Sequence, residues 1–248
     1  MPDNVLEVRG LRKAFGGILA NDDISFAVPR GSLVGLIGPN GSGKTTLFNS
    51  IAGQHPADAG EVRFDGRRLS GLAAPQIARL GLVRTFQQAR VYAGMTCMEN
   101  MLVSASHAGE TVATLLRVFE AGLTEKGGAL LDFVGLADKR DSHVGTLSYG
   151  QRKLLELAMA LMSDPKMLLL DEPTAGVNPT LIDSVVARLR HANRAFGVTL
   201  LVIEHNMRVV MELADHIHCL AHGRLLASGT AEQIRADARV IDAYLGAR

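Results

Sequence analysis

The sequence predicts an α/β protein whose core is a doubly wound parallel sheet. Residues 166–170 and 198–203 are short, almost continuous apolar runs, as expected for strands covered on both faces. Between them, apolar residues recur at helical spacing up to Gly197, which is placed to end a helix. A third apolar run, residues 33–37, leads into a glycine-rich turn and a further helical pattern. Strands and helices that alternate in this way form a parallel sheet with helices on its faces.

The N-terminal part of the chain predicts antiparallel strands. Residues 5–29 alternate apolar and polar side chains around two turn-forming pairs, Gly-Gly at 16–17 and Asn-Asp at 21–22. We therefore expect short strands joined by turns in this region. Asp-Gly at 65–66 is a further hairpin signal. These strands predict an N-terminal antiparallel β subdomain.

The middle and the end of the chain predict further helices. Residues 96–162 have a mainly helical pattern and form a candidate helical subdomain, in which the course of residues 104–128 has no readable period. His-Gly at 222–223 signals another hairpin. Thr230, with Gln233 three positions later, forms a capping box for a last helix.

Composition limits the class of protein. Among 248 residues, 47% are apolar, which is enough for a sizeable core, and we expect a single domain over residues 4–246. The net charge of +1 provides no strong basic field, so we expect no nucleic-acid partner. Cys97 and Cys219 lie far apart without metal-site spacing. They are expected to be buried thiols in a reducing cytosol.

The sequence predicts no membrane insertion of its own. The N-terminal stretch lacks the basic and apolar regions of a signal peptide. The longest apolar runs, such as residues 167–170, fall far short of the roughly 20 residues that a bilayer span needs. A role at a membrane therefore requires a separate protein.

Residues 38–45 match the phosphate-loop pattern G-x-x-x-x-G-K-[ST] between a predicted strand and a predicted helix. Backbone N–H groups of such a loop converge on phosphate oxygens at a helix N-terminus, where the helix dipole also favours anions. Lys44 is then placed to reach the β- and γ-phosphates, and the Thr45 hydroxyl to ligate Mg²⁺. The alternative is a glycine-rich turn with an ordinary surface lysine. The candidate nucleotide-contacting residues are Gly38, Pro39, Asn40, Gly41, Ser42, Gly43, Lys44, Thr45 and Thr46.

Two adjacent carboxylates, Asp171 and Glu172, end an apolar strand before Pro173. Neighbouring strand residues face opposite ways, so the two acids need not share a role. One is suited to hold Mg²⁺, and the other to polarise an attacking water as general base. The alternative is a pair of acids that merely end a strand and begin a turn.

Residues 147–153, Leu-Ser-Tyr-Gly-Gln-Arg-Lys, resemble the signature motif of ATP-binding cassette (ABC) ATPases, and the similarity covers nearly the whole chain. Ser148 and Gly150 at a helix start form a second anion-binding terminus, suited to the γ-phosphate of a nucleotide held by another subunit. The alternative is a simple N-cap, with Ser148 before a helix that begins near Gln151. The candidate signature contacts to ATP are Ser148, Gly150 and Gln151.

The resemblance implies roles for three further residues, each from its own position in the sequence. Phe15 is similar to the aromatic residue that stacks on adenine, although a lone Phe near a strand end also suits core packing. Gln87 resembles the glutamine that contacts Mg²⁺ and links the site to the membrane domain, with Gln88 as the alternative. His205 matches the switch histidine that touches the γ-phosphate. The resemblance thus implies Lys44, Gln87, Glu172 and His205 as catalytic residues, and Thr45, Gln87 and Asp171 as metal ligands.

Two residues that depart from the commonest ABC pattern indicate which group of ABC ATPases the sequence resembles. Tyr149 replaces the first of the paired signature glycines, and Asn178 stands where most families have aspartate. Asn178 as N-cap and Pro179 as first helical residue also explain that position locally. With the runs at 84–87, 203–207 and 243–246, these variants resemble the ATP-binding subunits of branched-chain amino acid importers, closer to the G-type component.

The family resemblance leaves several functions open. Importers of urea and short amides and exporters of lipopolysaccharide are near relatives, so the transported solute rests on analogy. A soluble ABC protein acting on ribosomes or DNA usually has two cassettes or a long coiled-coil insertion, neither of which is present. A P-loop kinase or GTPase needs neither the signature nor His205.

The resemblance also implies cofactors and partners. These are ATP and Mg²⁺, transmembrane permease subunits, a second ABC ATPase subunit and, indirectly, a solute-binding protein. A heterodimer is favoured and a homodimer is the alternative. The expected location is the cytoplasmic face of the inner membrane, as a peripheral subunit. Val91, Tyr92, Met95 and Met98 form an apolar segment suited either to a partner's helix or to the core.

Overall fold

The computed structural model describes residues 3–85, 91–105 and 121–245. Its strands are β1 (Asn4–Phe15), β2 (Ile18–Pro29), β3 (Leu33–Ile37), β4 (Ala59–Phe64), β5 (Arg67–Arg68), β6 (Leu82–Arg84), β7 (Met167–Asp171), β8 (Thr199–Ile203), β9 (His216–Ala221) and β10 (Arg224–Gly229). Its α-helices are α1 (Lys44–Ile51), α2 (Ala74–Arg79), α3 (Cys97–Ser104), α4 (Ala121–Phe133), α5 (Tyr149–Leu161), α6 (Pro179–Phe196), α7 (Met207–Leu213), α8 (Ala231–Ala236) and α9 (Ala238–Leu245).

The described strands form two sheets. One is antiparallel, with the order β2-β1-β4-β5. The other has the order β10-β9-β3-β8-β7-β6, in which β10 is antiparallel to β9 and the other neighbours are parallel. The predicted fold class is therefore confirmed, with a parallel core, an N-terminal antiparallel β subdomain and helices over part of residues 96–162.

The central strands are buried along their whole length, which explains their continuous apolar sequence. Every residue of β3, β7 and β8 is buried. On β3, Leu33 packs into the core shared with the helical subdomain, whereas Val34 and Leu36 pack into the core beneath the antiparallel sheet. Both faces of the sheet are thus covered, as parallel sheets require.

The antiparallel subdomain differs from its prediction in strand length. Gly-Gly at 16–17 forms the expected turn, with positive φ at both positions, but β1 and β2 are each 12 residues long. Asn21 and Asp22, expected in a turn, lie within β2 and are buried. Their polarity is tolerated because Asn21 donates to the Gly43 carbonyl and Asp22 pairs with Arg12 and Arg224.

The turn and helix-end predictions are largely confirmed. Residues 65–66 and 222–223 both have positive φ and join paired antiparallel strands. Gly197 ends α6 in the left-handed conformation, and Asn178 caps its start before Pro179. The signature helix α5 begins two residues earlier than expected, at Tyr149, because Ser148 is itself the N-cap.

The C-terminal end contains one helix more than the sequence predicted. The capping box of Thr230 and Gln233 begins α8, as expected. Asp237 then stops α8 with an extended backbone, and its carboxylate accepts the N–H of Arg239 at 2.9 Å. A side chain that bonds the N–H two residues later can start a new helix, which accounts for α9.

Candidate functional site

The phosphate loop leaves β3 and enters α1 at the carboxyl edge of the parallel sheet. Gly38 is buried with a φ of 147°, and a Cβ there would lie 2.1 Å from the carbonyl oxygen of Leu220. Gly43 caps α1 without a side-chain hydrogen bond. The first N–H groups of α1 therefore have no side chain competing for them at this cap, which suits a phosphate ligand.

Two distant elements support this loop from behind. Asn21 of β2 donates to the Gly43 carbonyl at 3.0 Å, and Gly223 in the β9–β10 turn donates to the Ser42 carbonyl at 3.2 Å. Both loop groups are thereby directed toward the protein. These hydrogen bonds restrain the loop, because both carbonyls already have donors from other parts of the fold.

Lys44 lies inside the loop and faces the acidic strand end. Its Nζ donates to the carbonyls of Gly38 and Pro39, at 2.8 and 3.0 Å. Burial lowers the pKa of Lys44, while the charges of Glu172 and Asp171 act in the opposite direction. The lysine and both carboxylates therefore belong to one electrostatic site.

The two adjacent acids differ in burial and in backbone conformation. Asp171 is the last residue of β7 and is only 3% exposed, whereas the Glu172 side chain is 14% exposed. Glu172 has a φ of 51°, and its N–H still bonds the Ile203 carbonyl at 2.9 Å. A left-handed conformation is unusual for glutamate, and such residues concentrate at functional sites.

His205 is brought directly to Glu172. Its Nε2 contacts the Glu172 carboxylate, and its side chain is 44% exposed. The carboxylate and the imidazole therefore present polar atoms together at the surface beside the phosphate loop. Glu172 and His205 form a pair in which each orients the other.

Glu204 was not selected from the sequence, yet it holds the loops on both sides of this pair. Its buried carboxylate accepts the N–H of Thr174 at 2.8 Å and the N–H of His205 at 3.0 Å, and it also bonds the Thr174 hydroxyl. The sequence feature that could have identified Glu204 is its position, because it is an acidic residue directly between a buried strand and His205.

Arg84, at the end of β6, is a second residue that the sequence analysis missed. Its guanidinium bonds Asp171 at 2.8 Å and also contacts Asn49 and Gln54. The Arg84 and Asp171 side chains are 7% and 4% exposed. The predicted metal ligand is thus held by a buried cation and joined to the end of α1 (Asn49) and the segment after it (Gln54).

The signature residues form a capped helix start. Ser148 Oγ accepts the Gln151 N–H at 3.3 Å, and Gln151 Oε1 accepts the Ser148 N–H at 2.9 Å. A Cβ on Gly150 would lie 3.1 Å from Leu181. Ser148 therefore acts as the N-cap of this helix in the single chain. Its side chain remains exposed at the helix N-terminus.

Tyr149 packs within its own chain. A Cβ placed on Gly176 would lie 3.1 Å from the Tyr149 ring. The ring remains 41% exposed, and Lys153 Nζ lies 5.9 Å from its centroid. Tyr149 therefore joins the signature helix to the loop that follows the acidic strand.

The remaining predicted positions have different surroundings. Phe15 ends β1 and is 45% exposed, with its ring edge-on to His55 and Lys13 Nζ 5.2 Å from its centroid. Gln87 and Gln88 lie outside the described residues. In the 91–98 segment, Tyr92 is 56% exposed whereas Met98 is buried, so this segment divides between surface and core.

Metal binding in this site depends on mixed oxygen donors. Within the described ranges, no group of three or more His, Cys, Asp and Glu side chains is arranged to hold a metal. The Thr45 hydroxyl and the Asp171 carboxylate are hard oxygen donors, and nucleotide phosphates complete such a set in P-loop enzymes. The chemistry of these two residues fits a Mg²⁺ ion.

Comparison with known proteins agrees with this architecture. The family model described as ABC transporter matches residues 21–175, and that described as branched-chain amino acid ATP-binding cassette transporter matches residues 224–248. The high-affinity branched-chain amino acid transport ATP-binding proteins BraF of Pseudomonas aeruginosa and LivG of Salmonella typhimurium are 41% and 38% identical. The alignment covers 98% of both chains for BraF and 99% of both for LivG.

A solved structure of an ATP-binding cassette in its ADP conformation has a TM-score of 0.88 and 34% identity, over 98% of this chain and 99% of that one. A nucleotide-free cassette from an ABC transporter has a TM-score of 0.87 at the same identity, over 97% and 98%.

Fold, site and relatives define a nucleotide-binding ATPase, and the chain belongs to the ABC transporter family, in its branched-chain amino acid ATP-binding cassette group. The sequence-based identification of this family is confirmed. Within the part of the chain that the structure describes, no helix has the length and apolar character of a membrane span.

Proposed function

We propose that this chain is the ATP-hydrolysing motor of an importer for branched-chain or other hydrophobic amino acids. The names of BraF and LivG, and the family match at residues 224–248, support this class of solute. The motor works at the cytoplasmic face of the cell membrane, bound to permease subunits that carry the transport path. A solute-binding protein delivers the amino acid to those permeases.

The observation that carries this proposal is the convergence of Lys44, Asp171, Glu172 and His205 beside one phosphate loop. In the proposed site, Lys44 and the loop amides bind the β- and γ-phosphates. Glu172 accepts a proton from the attacking water, and His205 contacts the γ-phosphate while orienting Glu172.

Thr45 and Asp171 would hold Mg²⁺, which would neutralise charge that develops on the phosphates. Gln87 is a further proposed ligand. Phe15 stacks on the adenine base. Ser148, Gly150 and Gln151 of a second subunit close the site over the γ-phosphate, with their helix N-terminus facing the anion.

The experiment is reconstitution in proteoliposomes with permeases, a sister ATPase and a solute-binding protein. The wild-type complex should hydrolyse ATP and take up leucine in preference to urea. Glu172→Gln should still bind Mg-ATP while turnover at its own site falls by about 10²–10⁴-fold, the usual worth of general acid–base catalysis. ATPase activity and uptake should fall together.

Glu212→Gln is the matched control, because Glu212 is an exposed glutamate on α7 that should leave both activities unchanged. Turnover at the Glu172→Gln site within a factor of two of wild type, measured beside a sister ATPase whose own site has been inactivated, would exclude Glu172 as the base. Uptake of urea but not leucine would overturn the assigned solute class and leave the motor function standing.

A further inference from the structure

The last helix of the chain reaches the phosphate loop through one tyrosine. The Tyr244 hydroxyl, on α9, accepts the backbone N–H of Gly38 at 2.8 Å, across 206 positions of sequence. The carbonyl of the same glycine accepts Lys44 Nζ at 2.8 Å. Gly38 is therefore held on its amide side by the C-terminal helix and on its carbonyl side by the phosphate-binding lysine.

This contact matters because Gly38 has little freedom to compensate for its loss. The residue is buried, and its φ of 147° is a conformation that only glycine adopts readily. A Cβ would collide with the Leu220 carbonyl, so the backbone lies close against β9. Without Tyr244, the Gly38 N–H loses its hydrogen-bond acceptor, and a buried unsatisfied amide is costly.

The helix that supplies Tyr244 is itself anchored beside the loop. Val240 is buried, and Tyr244 packs against a small core that also contains Ile37, the residue before Gly38. Burial raises the pKa of Tyr244 to about 12, and the oxygen of the neutral hydroxyl has a lone pair that accepts the amide hydrogen. Position and protonation state both suit a fixed acceptor.

We propose that Tyr244 is a positioning residue for nucleotide binding, whose hydroxyl fixes the Gly38 peptide and thereby the shape of the phosphate loop around Lys44. The C-terminal segment thus sets nucleotide affinity without touching the nucleotide. This inference rests on the phosphate-loop role proposed above.

The test is calorimetric titration of the purified chain with Mg-ADP. Tyr244→Phe keeps the ring and removes only the hydroxyl. It should weaken Mg-ADP binding about three- to tenfold, the range expected for one buried hydrogen bond. Hydrogen–deuterium exchange should accelerate at residues 38–44. Replacing Tyr244 by 3-fluorotyrosine, which keeps the hydroxyl oxygen as an acceptor for the Gly38 N–H, should leave most of the affinity in place.

The matched control is Ile241→Ala, which loosens the same helix at a side chain that is 45% exposed and keeps the hydroxyl. It should lower the thermal midpoint of the nucleotide-free protein by no more than Tyr244→Phe does, with Mg-ADP affinity within twofold of wild type.

Equal weakening of Mg-ADP binding by Ile241→Ala and Tyr244→Phe would reduce Tyr244 to a structural role and overturn the proposal. Wild-type affinity in Tyr244→Phe would overturn it as well. If Tyr244→Phe does not fold, the 3-fluorotyrosine protein decides, and loss of affinity in that protein with unchanged thermal stability contradicts the proposal. Failure of the wild-type chain to bind Mg-ADP would instead contradict the proposed nucleotide function.

Discussion

Arg84 and Asp171 form an ion pair inside the protein, at the point where the metal is proposed to bind. Their side chains are 7% and 4% exposed, so neither charge is well solvated. Removing one partner of a buried pair leaves the other charge uncompensated, which typically costs 3–5 kcal/mol. We therefore expect Arg84→Ala to lower the free energy of unfolding by about 3 kcal/mol in urea, without Mg²⁺ and nucleotide.

The double variant Arg84→Ala with Asp171→Asn should recover part of this loss, because the orphaned charge is gone. Arg63→Ala is the control, since Arg63 pairs with Glu61 at the surface, where exposed pairs contribute about 0–1 kcal/mol. If Arg84→Ala and Arg63→Ala lower the free energy of unfolding by the same amount, then burial of the Arg84–Asp171 pair does not cause the loss predicted for Arg84→Ala.

His218 is a buried histidine that should make stability depend on pH. It is 4% exposed, and burial lowers its pKa to about 4, with His216 acting in the same direction. In the unfolded chain its pKa is near 6.5, so the unfolded state binds more protons between pH 6.5 and pH 4. Stability should fall as pH is lowered through that window.

His218→Gln keeps a hydrogen-bonding side chain and removes the titration. Between pH 7 and pH 5, wild type should therefore lose about 2 kcal/mol more stability than His218→Gln, measured by urea unfolding. His222→Asn, in the exposed β9–β10 turn, is the control and should leave the pH dependence unchanged. Parallel pH profiles for wild type and His218→Gln would show that His218 is protonated equally in both states.

At the scale of the elements, the buried carboxylate of Glu204 connects the loops that follow β7 and β8 at the edge of the sheet. Glu204 bonds Thr174 in the loop after β7, and its own neighbour His205 in the loop after β8. Glu172 and His205 are therefore positioned by the same group that fixes their loops. Movement of either loop must break charge-assisted hydrogen bonds to Glu204, which are stronger than neutral ones.

Elements whose shape is set locally could be predicted from the sequence. The β3, loop and α1 unit follows from an apolar run, glycines and a lysine at fixed spacing, and Ser148 and Asn178 cap helices as their positions indicated. Strand length in the N-terminal subdomain could not be predicted, since Asn21 favours a turn until Gly43 supplies its hydrogen-bond partner.

At the scale of the whole molecule, the site depends on contacts that sequence patterns do not contain. Arg84 meets Asp171 across 87 positions, Glu204 meets Thr174 across 30, and Tyr244 meets Gly38 across 206. Arg84, Glu204 and Tyr244 lie in runs that carry the family resemblance, but the runs do not indicate which distant residue each one contacts, and only the folded topology brings it to the site. The candidate site residues could be named from the sequence because their motifs are local, whereas the contacts that position them could not.

The assembled motor is predicted to be a heterodimer with a second, related ATPase. The resemblance to G-type importer subunits implies a sister subunit, and Tyr149 changes the face that the signature presents. Its ring packs on Gly176 and stays 41% exposed, so a bulky aromatic surface stands beside Ser148. Such a surface selects a partner whose facing residues accommodate it, and that partner need not be a second copy.

In size-exclusion chromatography with Mg-ATP, Glu172→Gln should block turnover and leave this chain largely monomeric. Adding the sister ATPase should shift it to a dimer, because each ATP then lies between a phosphate loop and a complementary signature. The control is the double variant Lys44→Ala with Glu172→Gln. It should form less dimer with the sister ATPase, since Lys44 is the proposed phosphate contact. Closed homodimers are the commonest soluble assemblies, and they remain the competing outcome. A tight ATP-dependent homodimer, with full activity from a complex containing only this ATPase, would contradict the heterodimer.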